Sequence, residues 1–196
     1  GNLDPSTYGS NDITDPNVVA SVISGYVNAL TAGGAKGVIA NIPNVTSIPY
    51  FTTVPAMPIP GAPATVSALN SGYAAYNAGL GQAKTFGLIT DAEYKQRTIK
   101  FTLGVANGAV IVDKDLTNLS ALNIPSYRQT TANDLILLTA SSQLNPTVGG
   151  GTSVPLVDKY VLTEKETAKV LTATAAYNAS IKSIATAKGL AFVDAN

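Results

Sequence analysis

The chain has 196 residues, of which 45% are hydrophobic and only 12% are charged. Globular domains carry about 25% charged residues, so Thr, Ser, Asn, Gln and Gly must supply most of the polar surface. The 12 basic and 12 acidic residues cancel, which argues against a nucleic-acid or anionic-membrane partner. The absence of cysteine and histidine excludes disulfides, thiol nucleophiles and any histidine triad, base or metal site within this chain.

The first predicted helix covers residues 18–32, because Val19, Ile23 and Val27 recur at helical spacing after a turn-rich segment. Asp15 or Asn17 is expected to cap its N-terminus. The apolar run that follows, at 37–43, is typical of a buried parallel strand. Its carboxyl end carries a polar stretch at 44–47, and ligands of open α/β sheets bind at that edge.

The middle of the chain changes character. Six prolines between positions 43 and 63 predict a loop, which is followed by predicted helices at 64–78 and 90–101. The second of these opens with Thr90-Asp91-Ala92-Glu93, a capping-box pattern. Short strands are predicted at 109–112 and 135–138.

The C-terminal part repeats the helix–strand order of the first. Another capping box, Thr163-Glu164-Lys165-Glu166, opens a helix predicted to run to about Ala187, and a buried strand is predicted at 190–194. Two helix–strand units of this kind predict an α/β fold with a mostly parallel sheet. We interpret residues 1–196 as one domain in which 56–158 are a large insertion, resembling a lid.

Three stretches resemble a bacterial, secreted or lipoprotein branch of the SGNH/GDSL hydrolases. The first runs from Ala32 to Pro55 and includes Gly37-Val38-Ile39-Ala40-Asn41-Ile42-Pro43-Asn44-Val45-Thr46-Ser47. The second is Tyr160-Val161-Leu162-Thr163 with the helix after it, and the third runs from Ala175 to Asp194. The resemblance implies a three-layer α/β/α sandwich with a mostly parallel sheet. It also implies hydrolysis of small-molecule or lipid acyl esters by a serine esterase or lipase.

The family's oxyanion hole uses the Asn of a Gly-x-Asn-Asp block, and Gly9-Ser10-Asn11-Asp12 matches that pattern. The resemblance therefore implies that Asn11 and Gly9 are oxyanion donors. The segment Gly1–Asp4 is a competing register, with Leu3 in place of the Asn. An Asn-Asp pair before a helix is also common turn and cap chemistry, so a purely structural role stays open.

The family's nucleophile block is expected before Gly1, and its Asp-x-x-His block after Asn196. The resemblance thus implies that this chain is the central section of a serine esterase and is inactive by itself. The alternative is a non-catalytic binding or structural module with a degenerate sandwich. In both cases no metal or cofactor is expected, the protein is extracytoplasmic, and exposed sheet edges favour self-association.

Other chemistry-bearing residues have simpler interpretations. Ser10 has no histidine to activate it, and Lys36 and Lys188 fit cations at helix C-termini better than catalytic bases. Three further sets remain, and two of them have a functional interpretation beside the structural one. Asp113 and Asp115 fit loop solvation or a weak cation site, Asp194 fits a structural role at a strand end, and Tyr73 and Tyr76 fit packing or an acyl pocket.

Overall fold

The computed structural model describes residues 4–196, and these divide into two compact units. The first unit combines the described residues up to Ile48 with Lys165–Asn196, and the second is continuous from Pro49 to Glu164. The predicted insertion at 56–158 lies entirely inside the second unit, and its role as a lid stays a prediction. Across residues 4–196, no helix is both long and apolar enough to cross a membrane.

The secondary structure is mixed. Six α-helices lie within residues 4–196: α1 (Pro16–Thr31), α2 (Pro49–Thr52), α3 (Pro63–Gly72), α4 (Ala74–Thr85), α5 (Asp91–Arg97) and α6 (Glu164–Lys188). Eight short strands accompany them in the same range: β1 (Val38–Ala40), β2 (Ile59–Pro60), β3 (Ala106–Asn107), β4 (Val110–Val112), β5 (Tyr127–Gln129), β6 (Leu135–Ile136), β7 (Val161–Leu162) and β8 (Ala191–Val193).

The strands of residues 4–196 form four two-stranded sheets. The β1–β8 pair is parallel, whereas β2–β3, β4–β5 and β6–β7 are antiparallel. The α/β class predicted from the sequence is therefore confirmed at that level. The expected mostly parallel sheet is not present in residues 4–196, because the strands between β1 and β8 pair antiparallel with one another.

Helix α1 begins two residues before its predicted start. Pro16 occupies the first turn, where its missing N–H costs nothing, and the Asp15 carboxylate accepts hydrogen bonds from the N–H groups of Asn17 and Val18. Of the two predicted caps, Asp15 is thus the one that the structure uses.

Strands β1 and β8 pair in parallel, with Val38 opposite Ala191 and Ala40 opposite Val193. Both strands lie where the sequence predicts them. The prediction that they are buried is wrong, since Val38 is 69% exposed and Val193 is 47% exposed. Only Ile39 and Phe192 are half-buried, because a two-stranded sheet has no further strand beside either edge.

Helix α1 is apolar on two sides. Val27 is buried and Ile23 is half-buried, as the helical spacing predicts. A second row of apolar side chains, spaced by four residues, is exposed on the same helix: Val18, Val22, Tyr26 and Leu30. We call these four residues the α1 stripe.

The helix predicted at 64–78 is two helices in the structure, α3 and α4, which meet at Tyr73. The backbone of Tyr73 leaves helical geometry, with φ −92° and ψ 1°. Its N–H donates to the Leu69 carbonyl and so ends α3. The Tyr73 side chain is buried in the core, which fixes the position of the break.

Half of the capping box at α5 is confirmed. The Thr90 hydroxyl oxygen accepts a hydrogen bond from the Glu93 N–H at 3.1 Å. The Glu93 carboxylate does not reach back to Thr90. It binds the backbone N–H and hydroxyl of Thr117 and the guanidinium of Arg97 instead, because a cation one turn later is a stronger partner than a neutral N–H.

The second unit contains two apolar clusters. The larger gathers side chains from β4, β6, β7 and the segments around them, among them Ile99, Phe101, Val110, Ile111, Ile136 and Leu156. The smaller packs α4 against the segment at 119–124 through Leu80, Ala83, Ile89, Leu119 and Ile124. The predicted strands at 109–112 and 135–138 correspond to β4 and β6, which are therefore core strands.

Candidate functional site

The predicted oxyanion loop is a tight turn in front of α1. The Asp12 N–H donates to the Gly9 carbonyl at 3.1 Å, and the Gly9 N–H donates to the Asp12 carboxylate at 2.8 Å. Asn11 lies at the tip of this turn and is exposed. These two hydrogen bonds support the interpretation of Gly9-Ser10-Asn11-Asp12 as a structural turn. The roles of Asn11 and Gly9 as oxyanion donors stay predictions.

The competing register lies mostly outside the described residues, because Gly1, Asn2 and Leu3 precede residue 4. Asp4 is described, and it caps a short 3-10 turn at Pro5–Thr7. Its carboxylate accepts from the hydroxyl and the N–H of Ser6, and these hydrogen bonds hold the pKa of Asp4 below its ordinary value.

A groove of about 780 Å³ lies beside the turn in the first unit. Gly9 and Ser10 line one wall together with Ile13 and neighbouring residues. The opposite wall is a face of α6 built from small side chains and one lysine: Ala168, Lys169, Thr172, Ala173 and Ala176. We call this the α6 groove. Its size and its mostly apolar lining are typical of small-ligand sites.

The two lysines considered as bases lie at the carboxyl end of one helix. Lys188 is the last residue of α6. Lys36 lies beyond α1, and its Nζ is 4.0 Å from the position that a Cβ on Gly189 would occupy. Both ammonium groups therefore complement the C-terminal end of the α6 dipole. For Lys36 this helix is α6, whereas its position in the sequence suggested α1.

The carboxyl ends of β1 and β8 form a polar cluster. The Asn178 side chain, on α6, accepts from the Ile42 N–H and donates to the Ile42 carbonyl, both at 2.8 Å. Asp194 accepts from the Asn41 amide, and this bond holds the pKa of Asp194 below its ordinary value. The geometry gives Asp194 the structural position expected for it.

The pair Asp113 and Asp115 is not a cation site in this structure. Asp113 is buried, and its carboxylate accepts from Arg128 Nε at 2.5 Å and from the Asp115 N–H at 2.9 Å. Residues 4–196 hold no group of three or more Asp, Glu, His or Cys side chains placed to bind a metal ion. The charge of Asp113 is therefore neutralised by an arginine that the sequence did not single out.

Arg128 is the centre of a buried ion cluster. Besides Asp113, its guanidinium binds both carboxylate oxygens of Asp134, at 2.7 and 2.8 Å. Burial alone would raise the pKa of Asp134, but hydrogen bonds from Arg128 and from the N–H groups of Thr131 and Glu164 outweigh it and lower that pKa. Burial would likewise lower the pKa of Arg128, and the two carboxylates raise it instead.

A second buried arginine, Arg97, was also missed by the sequence analysis. It is 0% exposed, and it donates to the carbonyls of Thr117 and Pro125 at 2.8 Å while pairing with Glu93 at 3.1 Å. It thereby joins α5 to the segment at 117–125. The spacing Glu93–Arg97 is the four-residue helical pair that could have indicated it.

Tyr73 and Tyr76 pack against the larger apolar cluster, and their role in an acyl pocket stays a prediction. The Tyr73 hydroxyl donates to the Thr152 carbonyl, and the Tyr76 hydroxyl donates to the Tyr127 carbonyl at 2.6 Å. Burial raises the pKa of Tyr73 to about 12. The same two rings line a cleft of about 520 Å³ in the second unit, together with Tyr127. We call it the tyrosine cleft.

Comparisons with known proteins leave the family open. No protein-family model, curated protein or solved structure matches this chain.

Proposed function

We propose that this chain is the central section of an SGNH/GDSL-type serine esterase that hydrolyses acyl esters outside the cytoplasm. The observation that carries the proposal is the parallel pairing of β1 with β8. These strands belong to the two long stretches that resemble the family, and 150 residues separate them. A mostly parallel sheet requires such a pairing, and residues 4–196 contain no other parallel sheet.

The exposed apolar surface of the first unit supports the same proposal. Domains bury each apolar helix or sheet face in a further layer. The α1 stripe and the edges of the β1–β8 pair are exposed in the described residues, with Leu30 at 76% and Val38 at 69%. In the proposed three-layer sandwich, further strands and a further layer cover these faces.

The position of the α6 groove is consistent with an ester substrate. Gly9 and Ser10 of the candidate oxyanion loop line it, and most of its other lining is apolar. In the proposed enzyme the Asn11 amide and the Gly9 N–H donate to the oxyanion of the tetrahedral intermediate. The Gly9 N–H must first release the Asp12 carboxylate, to which it donates in this structure. The serine and the histidine come from blocks outside these 196 residues.

The second candidate function is a non-catalytic module with a degenerate sandwich. The hydrogen bond between Gly9 and Asp12 favours it, because that bond occupies one proposed oxyanion donor. The absence of histidine from the chain also favours a non-catalytic module.

The coding sequence on either side of this segment distinguishes the two. The esterase requires Gly-(Asp/Asn)-Ser upstream and Asp-x-x-His downstream. We expect the longer protein to hydrolyse p-nitrophenyl acetate, butyrate or octanoate and to react with a fluorophosphonate probe, and the 196-residue chain to do neither. A longer reading frame without the two blocks, or one that is inert, would refute the esterase.

The oxyanion assignment has its own test in the longer protein. Asn11→Ala should lower kcat about 10²- to 10³-fold with KM little changed, since the amide acts only on the transition state. The matched control is Asn17→Ala, which removes an exposed amide from the start of α1. Equal activity of the two variants would assign the Gly9–Asp12 segment to a structural turn.

A further inference from the structure

The tyrosine cleft lies wholly within the second unit and outside the proposed esterase site. It opens between α4 and the segment at 122–127 and has a volume of about 520 Å³. Small-ligand sites measure about 300–1,000 Å³ and combine aromatic walls with a few placed polar groups. The cleft meets both conditions.

The aromatic walls are fixed in place. The rings of Tyr76 and Tyr127 lie 5.7 Å apart at 39°, and Tyr73 meets Tyr76 edge-on at 6.3 Å. The Tyr73 and Tyr76 hydroxyls are held by backbone carbonyls, so these rings cannot turn freely. The half-buried rings of Tyr76 and Tyr127 therefore offer a preorganised binding surface at low entropic cost, while Tyr73 is buried. Phe86 adds a fourth ring at the rim, and it is 74% exposed.

Three neutral polar groups accompany the rings. Three of the residues that line the cleft, Gln82, Asn123 and Tyr127, carry a side-chain amide or a hydroxyl. Within residues 4–196, no hydrogen bond engages these two amides or this hydroxyl. The amides can both donate and accept, as a hydroxyl can. An aliphatic chain that displaces water from these groups would not replace the lost hydrogen bonds, which disfavours it as the occupant.

The cleft carries no charge of its own. None of its twelve lining residues is Asp, Glu, Lys or Arg. The guanidinium of Arg97 contacts the hydroxyl of one lining residue, Tyr76, at 3.5 Å, and it is paired with Glu93. A charged ligand would therefore be desolvated there without a counter-ion.

We propose that the tyrosine cleft binds a neutral sugar ring. One face of such a ring presents C–H groups, which are attracted to the negative face of an aromatic ring. Its edge presents hydroxyls, which match the amides of Gln82 and Asn123 and the Tyr127 hydroxyl. The aromatic, amide and uncharged character of the cleft thus fits the two chemical faces of one ligand. The site is independent of the esterase proposal, because it uses residues of the second unit alone.

The binding experiment uses the 196-residue chain and NMR. Cellotetraose, xylotetraose and mannotetraose are titrated separately, with glucuronic acid as a charged probe and 1-octanol as an apolar probe. We expect at least one neutral oligosaccharide to bind with a millimolar Kd and to shift the signals of Gln82, Asn123 and Tyr127. Binding of octanol or glucuronic acid alone, or no shift at the cleft with any sugar up to about 50 mM, would overturn the proposal.

The variants distinguish the cleft from non-specific binding. Gln82→Ala and Phe86→Ala change exposed side chains, and Asn123→Gly suits a backbone with φ 56°. Each should weaken the Kd about fivefold or more, the loss of one hydrogen bond or one stacking contact. Leu103→Ala is the matched control, since Leu103 is 57% exposed and does not line the cleft. A Kd that all three variants leave unchanged would refute the assignment.

Gly72→Leu gives an independent check that spares the aromatic rings and the polar groups. A Cβ on Gly72 has no neighbour within 4 Å, so a side chain there can extend along the cleft without displacing the core. We expect this variant to keep the thermal unfolding midpoint of the parent within a few degrees and to lose sugar binding. Retained binding in a folded Gly72→Leu protein would place the sugar elsewhere.

Discussion

The Asn41 side-chain amide donates a 2.6 Å hydrogen bond to the carboxylate of Asp194, a residue 153 positions further along the chain. The Asn41 oxygen accepts in return from the Ala195 N–H at 2.6 Å. A single side chain thus fastens the carboxyl ends of β1 and β8 to each other. In an open parallel sheet these ends form the edge at which ligands bind, so Asn41 fixes the geometry of that edge.

The first prediction concerns the pKa of Asp194. Asn41→Ala removes the hydrogen bond that contributes most to lowering this pKa, so the pKa should rise towards the ordinary aspartate value of about 3.9. Carboxyl carbon NMR titration measures it. Asp91 is the internal control, because Lys84 and Lys95 hold its pKa at about 2 in the second unit. An unchanged pKa of Asp194 in this variant would show that the Asn41 hydrogen bond does not lower it.

The second prediction concerns the buried ion cluster. Arg128→Met leaves Asp113 and Asp134 buried without their cation, which should lower the free energy of unfolding by about 3–5 kcal/mol. Lys114→Ala is the control, since the Lys114 side chain is 66% exposed and its ion pair with Asp158 is worth at most about 1 kcal/mol. Urea unfolding of both variants measures the two losses in the free energy of unfolding. Equal losses would mean that burial does not matter for these pairs.

The third prediction is a pH dependence of stability from the same cluster. The pKa of Asp134 is lower in the folded chain than in the unfolded chain, so its stabilising effect is complete above the unfolded pKa of about 3.9. The effect is lost as the pH falls through the lower, folded pKa. Urea unfolding between about pH 5 and pH 1 should therefore show a decline that is shallower in Asp134→Asn, which cannot titrate. Parallel curves for the two proteins would contradict this linkage.

The fourth prediction compares two glycines of the second unit. A Cβ on Gly108 would overlap the backbone carbonyl oxygen of Thr130, so Gly108→Ala should destabilise the chain by about 1–3 kcal/mol. A Cβ on Gly81, within α4, meets nothing within 4 Å. Gly81→Ala should therefore stabilise by about 0.5–1 kcal/mol, since Gly is unfavourable inside a helix. Thermal unfolding midpoints that move in the same direction would disprove the comparison.

The sequence predicts best what is local. The cap at Asp15, the Thr90 cap and the strands at 38–40 and 191–193 follow from short patterns, and the structure has all of them. The break at Tyr73 was not predictable, because it depends on burial of a side chain in a core that 63–78 do not form by themselves.

The buried arginines show that the polar sites, too, could not be predicted from local sequence patterns. Arg128 and Arg97 look like ordinary surface cations in the sequence, and the partners of Arg128, Asp113 and Asp134, look like loop residues. Only folding brings these charges together. The tyrosine cleft is similar, because Tyr127 joins Tyr73 and Tyr76 from a strand about 50 residues away. The order of helices and strands thus predicts the class of the fold but not which residues form its polar sites.

The β1–β8 pairing also has a consequence for the order of folding. Its two strands lie at opposite ends of the chain, so a ribosome must synthesise β8 before the pair can exist. The second unit, from Pro49 to Glu164, is continuous in sequence and is complete well before that point. Because closure of a long loop is costly and slow, we expect the second unit to become resistant to protease first during synthesis. Until then β1 and the α1 stripe are open to chaperones and to other nascent chains.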